Sequence, residues 1–339
     1  MNMRESVDPR GVRLKHKILQ SPMAGCTDLA YRRIARRFGC QIAFTEMVKD
    51  KPVVQGNPKT LEMLRTADWD HPLGMQVVGR DPDLMREAAK RLEALGADVI
   101  DVNLGCPVPK VVNDGCGAAL LREPSQVGRI LEAMIPAVNV PVTIKIRTGF
   151  GDGDDDRFLQ IAKLAGDCGA GAITVHGRTR KQMYTGFSNH EAIRAVKEVA
   201  SVPVIGNGDI RSGADAKKMI EDTGCDGVML ARGALGNPWI YKEVEQYLQT
   251  GTLPAPPTVA EKASVLRDHF QAVRDIYGDR LAPHLIRRVI HWFVKGASGS
   301  AALRDKGSHI ETPEQFEDLV REFEGSRLEA SARDAKLRA

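Results

Sequence analysis

The chain has 339 residues, 42% hydrophobic and 27% charged, with a formal net charge of +4. This is the composition of a soluble globular protein, and no apolar run approaches the roughly 20 residues a membrane-spanning helix needs. The slight positive balance permits an anionic partner without requiring one.

The length suits a barrel of roughly 250 residues with a smaller appendage. The opening segment MNMRESVDPRG has charges but no apolar h-region, so no secretory signal is expected and the location should be cytoplasmic. The six cysteines, Cys26, Cys40, Cys106, Cys116, Cys168 and Cys225, form no C-x-x-C pair and no zinc spacing. They read as reduced thiols, and no metal site is expected.

From about residue 18 to 240, short β-branched runs alternate with amphipathic helical stretches, the pattern of a parallel sheet with crossover helices. Eight runs can be counted: 18–20, 41–46, 73–78, 99–104, 142–146, 172–175, 204–206 and 227–230. Their even spacing favours closure into a (β/α)8 TIM barrel over an open doubly wound sheet. Between two of them, Asp81-Pro82 opens a helix, Gly96 ends it, and Leu84, Met85, Ala88, Leu92 and Leu95 fall on one core-facing stripe.

After Leu253, Pro254-Ala-Pro256-Pro257 makes a stiff break. Residues 1–250 are therefore assigned to the barrel, 258–325 to a small C-terminal helical domain and 326–339 to a tail. In the first helix of that domain Leu266, Phe270, Val273 and Ile276 share a face. Its middle is basic (Arg267, Arg274, Arg280, Arg287, Arg288, Lys295, Arg304, Lys306) and its end acidic.

In such barrels the active site lies where strands end, so the residues at those points carry the functional signal. They are polar throughout: Ser21 to Gly25, Thr45-Glu46-Met47, Gln76, Asn103 to Pro107, Lys145 to Arg147, His176 to Arg178, Asn207-Gly208-Asp209 and Ala231-Arg232-Gly233. The last two turns suit a phosphate, because glycine-rich loops leading into helices expose backbone N–H groups. Lys145 and Arg147, two apart on one strand, share a face and need an anion there, either a cofactor or an ion pair with Asp101 or Glu46. His176 ends a strand, where a satisfied core histidine is the competing reading. Cys106, between Gly105 and Pro107 with Lys110 four residues on, could act as nucleophile or proton donor. Cys116, in a glycine-rich turn, is a weaker candidate. Asp152 to Asp156 reads as helix-dipole stabilisation and not as a metal site.

Assembled, these motifs resemble the tRNA-dihydrouridine synthases, most closely the B subgroup of the bacterial members. The matching stretches are Pro22-Met-Ala-Gly-Cys-Thr-Asp28, Thr45-Glu-Met47, Asn103-Leu-Gly-Cys-Pro-Val-Pro-Lys110, Lys145-Ile-Arg-Thr-Gly149, His176-Gly-Arg-Thr-Arg180, Asn207-Gly-Asp-Ile210 and Arg232 to Trp239. The resemblance implies FMN held by Pro22, Met23, Ala24, Gln76, Lys145, His176, Asn207, Gly208, Asp209, Ala231 and Arg232, with NADPH as reductant. It implies Cys106 as the catalytic proton donor and Asn103 beside the target uracil. Lys110, Arg178, Arg180, Arg287 and Arg288 would contact tRNA, the one partner expected. Ala231 departs from the glycine the family commonly has there. A flavin barrel acting on a free pyrimidine, similar to the dihydroorotate dehydrogenases, would share the phosphate turns but not the His-Gly-Arg-Thr-Arg motif.

Overall fold

The computed structural model describes residues 18–151 and 156–328. By the density of internal contacts they divide into two units, the first comprising 18–28, 40–210 and 215–231, the second 29–39, 211–214 and 232–328. The division thus precedes the proline-rich break, and a short helix from near the start of the chain joins the second unit.

The first unit is a closed parallel sheet. Its strands are β1 (Ile18–Gln20), β2 (Ala43–Phe44), β3 (Val48–Lys49), β4 (Leu73–Val78), β5 (Val99–Leu104), β6 (Val142–Arg147), β7 (Ile173–His176), β8 (Val204–Asn207) and β9 (Gly227–Leu230). Hydrogen-bonded neighbours run β1-β9-β8-β7-β6-β5-β4-β2, and β3 also pairs with β4. Within the expected run 41–46 only β2 is strand; β3 follows beyond it along the same edge of β4, and the interruption between the two, Thr45-Glu46-Met47, lies at the polar end. Closure comes at a narrow seam: Leu19 bridges Ile42, the Gln20 backbone N–H donates to the Ile42 carbonyl at 2.9 Å, and the Gln20 side-chain oxygen accepts the Phe44 N–H at 2.9 Å. A side-chain amide thus completes a ladder that two short strands leave unfinished.

The strands are buried along almost their whole length, as expected of a sheet covered on both faces. Leu19, Ile42, Phe44, Val99, Ile205 and Met229 form an apolar plug within the sheet, so the barrel is filled, not hollow. The helix Pro82–Ala94 starts as expected, with the Asp81 carboxylate accepting the Leu84 N–H at 2.9 Å. Met85, Ala88, Ala89 and Leu92 are buried on its inner face, whereas Leu84 and Leu95 are half-buried.

The second unit is helical: Leu29–Arg37, Ile240–Thr250, Val259–Tyr277, Ala282–Phe293, Ser300–Ser308 and Pro313–Glu324. Capping boxes at Thr258 and Thr312 satisfy the first N–H groups of two of these helices. Leu266, Phe270 and Val273 are buried in its core as patterned, Ile276 packs at the margin, and Phe270 stacks on Phe316 at 4.0 Å between ring centroids. Two residues of the basic middle, Arg267 and Lys306, pair with the acidic end of this segment, and Arg274 pairs nearby. Arg267 bonds Glu317 and Glu324, Arg274 bonds Asp279, and Lys306 pairs with Glu322. The start of the expected tail, 326–328, folds back instead, with Leu328 bridging Ala297. The acidic residues Asp152 to Asp155, the first 17 residues and the tail from 329 lie outside the described residues.

Candidate active site

Strand register sets the polar strand ends on one face of the sheet, in three successive tiers. Gln76 lies opposite Asp101, Asp101 opposite Thr143, Asn103 opposite Lys145, Arg147 opposite His176, and His176 opposite Asn207. Residues opposed in a parallel ladder project to the same face, so register alone brings these side chains together.

A directed chain of hydrogen bonds links the first tier to the second. Asp101, fully buried, accepts from Gln76 Nε2 at 2.6 Å and from the Thr143 hydroxyl at 2.7 Å. Gln76 then has its oxygen free, and this accepts from Asn103 Nδ2 at 2.8 Å. The Asn103 oxygen is spent in turn on the backbone N–H groups of Gly105 and Cys106, at 3.1 and 2.8 Å. An ionised carboxylate can only accept, so Asp101 fixes the orientation of both amides above it. What Asn103 retains is one N–H donor, suited to a carbonyl oxygen and not to another donor.

Lys145 donates to Asn207 Oδ1 at 2.9 Å, and Asn207 donates to the Met229 carbonyl at 2.7 Å. Burial lowers the lysine pKa to about 8, opposed by the nearby Asp101 charge and reinforced by Arg147. Asp101 shifts the other way: burial raises its carboxyl, while bonds from Gln76 and Thr143 and the Lys145 charge pull it back. Lys145 is thus an under-compensated buried cation with donors to spare, and it fits an anionic group placed beside it.

Arg147 does not share that task. Its guanidinium donates to the carbonyls of Gly105 (2.8 Å), Thr179 (2.9 Å) and Met183 (2.8 Å), so it pins loops instead of awaiting an anion. Arg178 also departs from expectation. Its side chain is only 2% exposed and meets both Asp209 oxygens, at 2.8 and 2.9 Å, together with the carbonyls of Thr185 and Gly186. A buried, fully bonded guanidinium cannot grip a substrate phosphate from solvent. It does approach His176 Nε2 at 3.3 Å, and because arginine only donates, that contact leaves the imidazole proton on Nδ1. Asp209 adopts φ 56°, a left-handed conformation uncommon for a non-glycine residue, and also accepts the Ser188 N–H at 2.8 Å.

Cys106 is half-buried in the loop after β5. Burial raises its thiol pKa, opposed by a backbone hydrogen bond from Val108 and by the Arg147 charge, so the group stays protonated. The loop closes over it because Gly117 adopts φ 58°, and a Cβ there would stand 2.9 Å from Val111 and 3.0 Å from the Cys106 carbonyl. Cys116 is buried and its thiol is likewise raised by burial.

At the other strand ends, Pro22, Met23 and Ala24 lie in the turn after β1, closed by Cys26 N–H to the Met23 carbonyl at 2.9 Å, and the Gly25 N–H donates to Glu46. Lys110 is exposed on the short helix Pro109–Asn113, and Arg180 lies over the Phe150 ring at 5.1 Å. Gly208 (φ 127°) and Asp209 follow β8, and Ala231 follows β9. Arg232 opens a one-turn helix and is exposed. In the helical unit Arg287 is occupied by the Ile310 carbonyl at 2.9 Å, while Arg288 is exposed beside Trp292. From the sequence Asp101 is expected only as an ion-pair partner. Its place two residues before Asn103, hence on the same face of β5, was the available signal for its role beneath the two amides.

The chain matches the family model described as Dihydrouridine synthase (Dus) over residues 19–328. Among curated relatives, it is 39% identical over 311 residues to tRNA-dihydrouridine synthase B of Pseudomonas aeruginosa, covering 91% of this chain and 93% of that one. It is 41% identical over 307 residues to the protein of that name from Xanthomonas campestris, covering 91% and 92%. It is 36% identical over 321 residues to a probable tRNA-dihydrouridine synthase of Rickettsia conorii, covering 94% and 97%. Among solved structures, histamine dehydrogenase from Rhizobium sp. 4-9 superposes with a TM-score of 0.58 at 14% identity, over 79% of this chain and 50% of that one. That likeness bears on the fold alone.

Proposed function

The chain belongs to the dihydrouridine synthase family, and from that premise we propose that it reduces the carbon 5–carbon 6 double bond of specific uridines in tRNA, with FMN as resident cofactor and NADPH as reductant. The observation that carries the reading is the buried tier in which Lys145, an under-compensated cation, and Asn103, a lone donor, stand beside the loop of a protonated Cys106.

When bound, reduced FMN supplies the hydride for carbon 6 of the uracil ring. Lys145, Gln76, His176 and Asn207, with the turns Pro22 to Ala24, Gly208-Asp209 and Ala231, are the groups that would hold it, Lys145 opposite its negative charge. The carbonyl of uracil polarises the double bond, and the N–H left on Asn103 is matched to a carbonyl oxygen of that ring. A hydride added at carbon 6 leaves negative charge to be quenched at carbon 5, and the Cys106 thiol donates that proton. A thiol raised by burial is a proton donor rather than a thiolate nucleophile, which favours this role over covalent attack. The target base must leave its stack to reach such a site, at a cost of a few kcal/mol that a loop nucleotide minimises. Lys110, Arg180 and, on the helical unit, Arg288 would meet RNA phosphates.

The test is mass-spectrometric mapping of dihydrouridine in tRNA from cells with and without the gene, beside the flavin absorbance of the purified protein. Loss of the modification at defined positions is expected. Unchanged dihydrouridine, or activity on free orotate or uracil with none on tRNA, overturns the reading.

A further inference from the structure

We propose that the loop spanning residues 178–188 is a preformed base-stacking ledge, on which Tyr184 and Phe187, flanked by Arg122, Arg180 and Lys181, receive unpaired nucleobases of the RNA substrate. The proposal rests on the tRNA reading above and names part of its binding surface.

The tip of this loop exposes apolar and aromatic groups: Phe187 is 87% exposed, Tyr184 55% and Met183 37%. Three such side chains within five residues form an exposed apolar patch. Yet the loop is held from beneath with unusual thoroughness. Arg147 bonds the carbonyls of Thr179 and Met183, and Arg178 bonds those of Thr185 and Gly186 while paired to Asp209. Asp209 also holds the Ser188 N–H, and the Arg180 N–H donates to the Gly149 carbonyl at 2.9 Å. Two residues without glycine's freedom, Met183 at φ 53° and Asp209 at φ 56°, take left-handed conformations within this arrangement. Two guanidiniums are thus consumed in fixing the shape of an exposed tip. A fixed aromatic surface loses little conformational freedom when a ligand settles on it, which is the advantage of preorganisation.

The surroundings identify the ligand chemistry. Arg122 and Arg180 lie 4.1 and 5.1 Å from the centroid of the same Phe150 ring, and the buried Arg180 Nε has no hydrogen-bond partner. Two like charges sharing one ring are relieved by an anion between them. Lys181 is exposed beside them, and Arg147 lies 5.7 Å from the Tyr184 ring. Aromatic faces interleaved with cations are the means by which proteins hold single-stranded nucleotides, bases stacked and phosphates paired.

The experiment measures binding of unmodified tRNA to the full-length protein across a salt series, for the wild type and for Tyr184→Ala, Phe187→Ala, Phe187→Trp, Phe187→Leu and Lys181→Ala. Each alanine at an aromatic position is expected to weaken binding about tenfold or more at an unchanged salt slope. Phe187→Trp restores affinity and Phe187→Leu does not, since stacking requires a π face. Lys181→Ala lowers the slope by about 1. These positions are exposed, so melting temperature and flavin content stay at wild-type values. Wild-type affinity in both alanine variants, or in Phe187→Leu, overturns the ledge while leaving tRNA reduction intact. Self-association that Phe187→Ala abolishes without altering RNA affinity assigns the surface to a second copy and overturns the proposal. If the wild type neither binds nor modifies tRNA, the functional reading fails and the ledge with it.

Discussion

Asn103 donates through Nδ2 to the side-chain oxygen of Gln76 at 2.8 Å, and this bond fixes the orientation of the Asn103 amide. Its direction is inherited from Asp101, which takes the Gln76 N–H at 2.6 Å. In Asp101→Asn the new side chain can donate as well as accept, so Gln76 can turn over and Asn103 loses its assigned orientation. Turnover should fall by up to about 100-fold, the scale on which misplaced reacting groups act, with flavin content little changed. Single-turnover rates against bound flavin measure it, and a rate equal to wild type would remove Asp101 from the positioning network.

Cys106→Ala should retain flavin and tRNA binding while suppressing turnover. Because burial raises the thiol pKa, the acid form persists to a pH above the ordinary thiol range, and the alkaline loss of rate lies correspondingly high. A pH–rate profile that falls near neutrality would contradict a thiol donor.

Lys145 gives cofactor binding a definite pH dependence. With its pKa near 8 in the free protein, an anion beside it raises that value, so above about pH 8 binding must take up a proton and affinity falls as pH rises. For the protein alone the sign is opposite. A lysine whose folded pKa is depressed holds fewer protons folded than unfolded, so stability increases as pH rises through 8. Titration of apoprotein with FMN at pH 7 and pH 9 should show weaker binding at pH 9, and Lys145→Met should abolish the difference.

Arg178→Met removes one half of a pair in which the arginine is 2% exposed and Asp209 24%. Stripping one partner from a buried pair costs about 3 kcal/mol at the low end of the usual range. Thermal unfolding should shift down by several degrees. The salt slope of RNA binding should not move, since this arginine faces no solvent phosphate.

In the helical unit, Arg288→Ala should lower the salt slope by about 1, whereas Arg267→Ala should leave it unchanged and destabilise the unit. Arg288 is exposed, and Arg267 is bonded to Glu317 and Glu324. Filter binding at several salt concentrations, with melting curves, separates the two effects.

The barrel was legible because parallel strands buried on both faces write themselves as apolar runs, and 73–78, 99–104 and 227–230 match the observed strands residue for residue. Thr45 to Met47 was legible as a strand end but not as a break within an edge, because pairing with β4 resumes at Val48. Among site residues, spacing located Gln76, Asn103, Lys145 and Asn207, whose neighbours are set by strand register. It misjudged Arg147 and Arg178, because a guanidinium that donates to carbonyls of a distant loop looks in sequence like one awaiting an anion. The same blindness hides which cations of the segment 267–306 are engaged: Arg267 and Lys306 meet carboxylates tens of residues away, which spacing alone does not show.

The helix Leu29–Arg37 places Ala30 and Ile34 in one core with Phe270, Phe293 and Phe323. The second unit therefore cannot complete its interior until nearly the entire chain has left the ribosome. Nor can it be separated by cutting at Pro254 to Pro257, since the fragment after the cut would lack a helix its core requires and the fragment before would carry that helix uncovered. The barrel and the helical unit are thus inseparable by sequence even where they are distinct as folded bodies, and they should be gained or lost together.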